Sequence, residues 1–148
     1  MGLLIRGGQV IDPARGFAAQ ADVLIDDGVI AEVARGIAAS RHQVVDARGL
    51  IVAPGLVDMH VHLRDPGQTQ KEDIVTGTAA AVRGGFTAVA CMANTAPPLD
   101  HPVTLEYIRS RARDVARCRV FPIGAITKGL QGRELAPIAG LAAAGAVA

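Results

Sequence analysis

His60-Val61-His62-Leu63-Arg64 closes an apolar run, Gly49 to Val57, that is broken only by Pro54-Gly55. Side chains alternate faces along a strand, so His60 and His62, at i and i+2, are expected to aim their imidazoles at one point. Two neutral imidazoles at that pitch suit a borderline ion such as zinc, which takes nitrogen and carboxylate ligands and can keep a position open for water. Arg64 is expected on the same face again, offering the planar fork of donors that best matches a carboxylate. Metal-activated water beside an anion clamp is the equipment of a hydrolase. An isolated His-x-His in a strand is commonly a solvated polar pair. Here it ends a strand that is otherwise apolar and meets the loop formers Asp65-Pro66-Gly67-Gln68, which is where α/β barrels carry their chemistry.

The elements that must position these residues fall into two grammars. Residues 1–53 read as short strands joined by tight turns, a small and mostly antiparallel sheet. Leu3-Leu4-Ile5 leads into a turn at Gly7-Gly8, and Gln9-Val10-Ile11 leads into Asp12-Pro13. Val23-Leu24-Ile25 and Val29-Ile30 flank Asp26-Asp27-Gly28, a hairpin signal because Gly accepts positive φ. Val44-Val45 and Leu50-Ile51-Val52 flank another turn near Arg48-Gly49.

From residue 54 strand and helix alternate. A helix from Glu72 to Arg83 carries Ile74, Thr78, Ala81 and Val82 on one face and stops at Gly84-Gly85. A buried strand follows from Phe86 to Met92. Asp100 is the expected N-cap of a helix presenting Leu105, Ile108, Ala112 and Val115, with Pro102 in its first turn. Val120 to Ile123 reads as the third strand, Glu134 to Ala144 as the third helix, and Gly145 to Ala148 as the beginning of a fourth strand. Repeated βα units imply a parallel sheet with helices outside it. Three units and a beginning cannot close an eight-stranded barrel of about 250 residues, so the expectation is the front part of a longer barrel rather than a complete open sheet.

Composition excludes several classes of function. With 15 basic and 14 acidic residues the formal charge is +1, which gives no electrostatic case for nucleic acid or an anionic membrane. The arginines at 109, 111, 113, 117 and 119 read as a solvated helix face and its exit. Hydrophobic residues make up 50% and aromatics 3%, so the core is expected to be built from small and branched aliphatics. Cys91 and Cys118 are too few and too far apart for a disulfide framework or a Cys-x-x-Cys zinc site, and are expected to be buried free thiols of a reducing compartment. No signal peptide or apolar span of about 20 residues is present, so a soluble, cytoplasmic protein is expected. His42 and His101 fall on a predicted turn and a helix start and carry no assignment. Asp58 is open to two roles, support of a histidine ring or a structural hydrogen bond.

The run from Pro54 through His60, His62, Arg64 and Asp65 to Gly67, followed by Lys71-Glu72-Asp73, Gly84-Gly85-Phe86-Thr87 and Cys91-Met92-Ala93-Asn94-Thr95, resembles the signature of dihydroorotases in the amidohydrolase superfamily. The resemblance implies an α/β fold, the N-terminal part of a TIM-type (β/α)8 amidohydrolase barrel over residues 54–148, preceded by a small β-sandwich segment over residues 1–53. It implies the reversible, zinc-dependent interconversion of dihydroorotate and N-carbamoyl-L-aspartate in pyrimidine synthesis, with two zinc ions in a complete site. His60 and His62 would be metal ligands, and His62, Arg64 and Asn94 would line the substrate, with Arg64 and Asn94 on its carboxylate. No residue of this chain is implied as the catalytic acid or base. The superfamily takes further ligands from the fourth, fifth and sixth strands and a proton-shuttling aspartate from the eighth, and neither Lys71 nor Lys128 ends a fourth strand. Ala93 stands where the family usually has Pro, and Asp65 where Glu is commoner.

The resemblance leaves three readings in order: a dihydroorotase, a related cyclic amidase such as a hydantoinase or allantoinase, and an inactive dihydroorotase-like scaffold of aspartate transcarbamoylase. The implied partners are a small-molecule substrate and either further copies of the chain or aspartate transcarbamoylase. The 148 residues alone are expected to be inactive and poorly soluble.

Overall fold

A computed structural model describes residues 2–39 and 41–147, and the chain divides into two compact units between Pro54 and Gly55.

The first unit is a single five-stranded sheet with strand order β3-β2-β1-β4, β5 also pairing with β1. Its strands are β1 (Leu3–Asp12), β2 (Phe17–Asp26), β3 (Val29–Ala34), β4 (Gln43–Asp46) and β5 (Ile51–Val52). β1, β2 and β3 pair antiparallel, whereas β4 and β5 run parallel to β1. Gly7-Gly8 is therefore no turn: β1 continues through it, and the register with β2 shifts between Ile5 and Gly8. A bulge with Gly7 at φ +73° absorbs the extra residue without ending the strand. The β2–β3 hairpin turns at Asp27 and Gly28, with φ of +48° and +77°, the left-handed pair that a two-residue loop requires. The buried carboxylate of Asp22 accepts hydrogen bonds from the backbone N–H groups of Gly7, Gly36 and Ile37, so it fastens strands and has no free oxygen for a ligand role.

The second unit is a three-stranded parallel sheet in the order β6-β7-β8, formed by β6 (Leu56–Val61), β7 (Phe86–Cys91) and β8 (Arg119–Pro122). Its helices are α1 (Ile74–Arg83), α2 (Pro102–Val115) and α3 (Ile138–Ala143). Leu63, Ile74, Val89, Cys91, Leu99 and Ile108 form its main core. A smaller core joins Leu105 to Ala136, Leu141 and Ala144.

Helix boundaries follow capping chemistry. α1 starts two residues later than the sequence pattern implies, because Asp73 is extended and its carboxylate accepts from the backbone N–H of Thr76. Ile74 and Thr78 are buried on its inner face as expected, but Val82 is exposed. The cap of α2 is His101, whose ring accepts from the N–H of Val103, and not Asp100, whose carboxylate instead accepts from Gly129 N–H at 2.7 Å. α3 begins at Ile138 rather than Glu134, since Pro137 fixes the residue before it. β8 lies one residue earlier than expected. Ala146 and Val147 form no assigned strand, although Val147 N–H donates to Pro122 O at 3.1 Å; Ala148 lies outside the described residues. Cys91 is buried and Cys118 half-buried, both as free thiols. No helix among the described residues is long and apolar enough to cross a membrane.

Candidate metal and substrate site

β6 ends at Val61, so His60 is its penultimate residue and His62 stands one residue past it. Their rings nevertheless converge, with centroids 5.1 Å apart and planes at 69°. The ladder to β7 is irregular between Asp58 and Val61, and in that gap the backbone N–H of His60 donates to Asp58 Oδ1 at 3.0 Å. Asp58 thus holds the backbone of His60 and not its ring. A local irregularity of this kind re-aims a side chain at a strand end.

His62 Nδ1 lies 2.8 Å from Asn94 Oδ1. The amide oxygen only accepts, so the bond forms with the hydrogen on Nδ1, and in the neutral ring this tautomer has its lone pair on Nε2. A ring held this way is oriented for coordination through Nε2, the arrangement in which a second hydrogen bond fixes tautomer and direction. The same bond leaves the Asn94 amide NH2 free to donate elsewhere. The pair was hidden from sequence reasoning by a separation of 32 residues.

Asn94 is set in place by the loop after β7. Ala93 is buried in the core and its carbonyl accepts from Leu99 N–H at 3.1 Å. Buried Thr95 donates through Oγ1 to Pro97 O at 2.6 Å, and Ala96 N–H donates to Pro66 O at 2.9 Å. The last bond stitches this loop to the one after β6. Gly67, at φ +88°, permits the approach: a Cβ there would lie 2.8 Å from the carbonyl carbon of Ala96 and collide with its oxygen.

Arg64 departs from the expected strand face. Its φ is +59°, so alternation ends before it, and its direction is set by a left-handed backbone closed by Gln68 N–H donating to Arg64 O at 2.9 Å. Its side chain is half-buried and makes no ion pair or hydrogen bond among the described residues. The structure therefore joins His60, His62 and Asn94 directly and places Arg64 two residues along the same loop. It also adds contacts that sequence reasoning missed: Asp65 is buried, accepts from the Tyr107 hydroxyl at 2.9 Å, and lies 3.8 Å from Arg111 Nε. That hydrogen bond raises the tyrosine above its ordinary pKa, keeping the hydroxyl a donor. An acidic residue set between Arg64 and Pro66 was the available signal.

As metal ligands, the two imidazoles fit an ion that accepts nitrogen donors, and the Asn94 bond supplies the orientation such a ligand needs. Among the described residues no group of three or more His, Cys, Asp and Glu converges, so the two imidazoles could supply only part of the ligand set of an ion held there.

Solved structures of a hydantoinase and a dihydropyrimidinase share this architecture. The L-hydantoinase (dihydropyrimidinase) from Arthrobacter aurescens matches 84% of this chain and 28% of its own at a TM-score of 0.75 and 22% identity, a likeness of fold. The dihydropyrimidinase from Brevibacillus agri matches 86% of this chain and 28% of its own at a TM-score of 0.74 and 29% identity. The class is thus the N-terminal region of a hydantoinase-type amidohydrolase fold.

Sequence comparison then narrows the class. The family model described as Dihydro-orotase-like matches residues 49–148. The dihydroorotase of Citrifermentans bemidjiense is 55% identical over 149 aligned residues, covering 100% of this chain and 35% of that protein. The dihydroorotase of Aquifex aeolicus is 47% identical over 146, covering 99% and 35%. The chain belongs to the dihydroorotase-like family and spans about a third of the length of these relatives.

Proposed function

We propose that the whole protein carrying these residues is a dihydroorotase, opening the cyclic amide of dihydroorotate to N-carbamoyl-L-aspartate and closing it again. The observation that carries this reading is the His62–Asn94 bond, which joins the ends of β6 and β7 beside the left-handed turn at Arg64. The parallel sheet is in this reading the first arc of a barrel, and the N–H of Val147 turned toward Pro122 O supports a fourth strand beside β8. His60 and His62 would hold a zinc ion, which supplies a Lewis acid to polarise the ring carbonyl and activate water. His62 is kept in one tautomer by Asn94. Arg64 receives the substrate's carboxylate in a fork of two parallel N–H donors, and the free amide NH2 of Asn94 adds a third donor. These contacts fix the ring before any bond changes, and orientation of this kind lowers the barrier. The proton-carrying acid and the remaining metal ligands belong to later strands of the whole protein, so the 148 residues alone are inactive in this reading.

The test compares dihydroorotate with dihydrouracil, the same ring without its carboxylate, for the whole protein and for Arg64→Lys. The lysine keeps charge but loses the fork, so kcat/KM for dihydroorotate should fall by roughly 10–100-fold, with the preference over dihydrouracil shrinking in parallel. Equal losses on both rings would assign Arg64 to structure. A second reading, a hydantoinase-type cyclic amidase, is favoured by the fold likeness at 29% identity to a dihydropyrimidinase. It requires dihydrouracil to be the better substrate.

A further inference from the structure

Arg64 is one of three residues other than glycine with positive φ among the described residues, and it is the only one of them in the candidate site. Side chains stay in that region only when their surroundings hold them there, and such positions gather at ligand clamps. Its two neighbours provide the hold. Leu63 is 4% exposed and belongs to the main core. Asp65 is also 4% exposed, yet it is a carboxylate, and its burial has to be met by polar partners. Both partners come from α2: the Tyr107 hydroxyl donates to Oδ1 at 2.9 Å, and Arg111 Nε lies 3.8 Å from Oδ2. Tyr107 and Arg111 are four residues apart, neighbours on one face of the helix, and that face is distinct from the one that buries Leu105 and Ile108.

We propose that Tyr107 and Arg111 are positioning residues for substrate recognition: through Asp65 they fix the backbone of Arg64 and so set the angle at which its guanidinium meets the carboxylate of the substrate. This rests on the reading of Arg64 given above. Tyr107 dominates, because its bond is shorter and directed, whereas the contact of Arg111 is longer. A merely structural fastening would lower stability and leave the fit of the carboxylate unchanged. A positioning role makes the effect of Tyr107 depend on Arg64.

The experiment is a double-mutant cycle in the whole protein, with Tyr107→Phe, Arg64→Lys and the pair, measuring KM, kcat and bound zinc. Tyr107→Phe should raise KM for dihydroorotate by about 5–10-fold, with kcat within about twofold and zinc content unchanged. In the Arg64→Lys background the same substitution should change KM by less than about twofold, since the fork it aligned is gone. Arg111→Gln removes the weaker partner while keeping the hydroxyl contact, so it supplies a second variant if Tyr107→Phe does not fold; it should shift KM in the same direction by less. Additive losses in an active enzyme, or a fall in kcat at constant KM, would overturn the positioning role and leave the functional reading standing. A wild-type protein that does not turn over dihydroorotate would overturn that reading, and this inference with it.

Discussion

Replacing Gly67 by Ala tests whether the two loops of the candidate site are held at van der Waals contact by backbone shape. Gly67 sits at φ +88°, and a Cβ there would lie 2.8 Å from the carbonyl carbon of Ala96 and penetrate its oxygen. Two costs follow. Placing a side chain at positive φ costs about 1–2 kcal/mol. Forcing a methyl group into a filled space adds about 1–3 kcal/mol, and here neither side can yield by rotating a side chain, because the obstruction is backbone. The total is about 2–5 kcal/mol. Gly85 supplies the control: its φ is +83°, but nothing lies within 4 Å of the position a Cβ would take, so Gly85→Ala should cost only the first part. Urea unfolding of both variants of the whole protein, read as midpoint shifts at unchanged slope, separates the two. Gly67→Ala should also lose dihydroorotate turnover under conditions where it remains folded, because the displaced loop carries Asn94. Equal destabilisation at the two glycines would refute the close approach and the loop geometry derived from it.

Asn94→Ala removes the acceptor that orients His62 and should weaken zinc binding by about 10–100-fold, measured by competition with a chelator, while His60 and the fold are undisturbed. Arg64→Gly relieves a left-handed strain of about 1–2 kcal/mol against an unfolded-state entropy cost of about 0.5–1 kcal/mol, so the thermal midpoint should hold or rise slightly while KM for dihydroorotate climbs at least about tenfold. Asp73→Ala removes the N-cap of α1 and should cost about 1 kcal/mol at neutral pH. The hydrogen bonds from the Thr76 N–H and hydroxyl lower the Asp73 carboxyl below its ordinary 3.8, so this stabilisation is complete above that value and fades as pH falls through the lowered one. The gap between wild type and variant in urea midpoint should therefore narrow on acidification below about pH 4.

Local chemistry made much of the fold legible. The Asp27-Gly28 hairpin was readable because both residues must take positive φ, and helical spacing found the buried Ile74 and Thr78 of α1 and Leu105 and Ile108 of α2, though not that Val82 is exposed. The errors arose where a distant partner decides the outcome. Gly7-Gly8 looks like a turn locally, and only pairing with β2 makes it a bulge. Asp100 looks like a cap, and its carboxylate is drawn away by Gly129, 29 residues on. The site divides in the same way. His60 and His62 are two residues apart at the end of β6, so their proximity could be foreseen, although His62 lies one residue past the strand. The left-handed turn at Arg64 could not, because it depends on Leu63 entering the core and on Asp65 meeting Tyr107, 42 residues later.

The most direct test of the site is zinc content, measured by elemental analysis of the whole protein and of its His60→Ala and His62→Ala variants after identical loading and dialysis. If these imidazoles hold the metal, each variant should lose at least about one equivalent of zinc relative to wild type, together with most dihydroorotate turnover, because an open Lewis-acid site does not tolerate a lost ligand. Unchanged zinc in both variants would contradict the assignment of the pair as ligands and return His60 and His62 to the role of two polar residues at the end of β6.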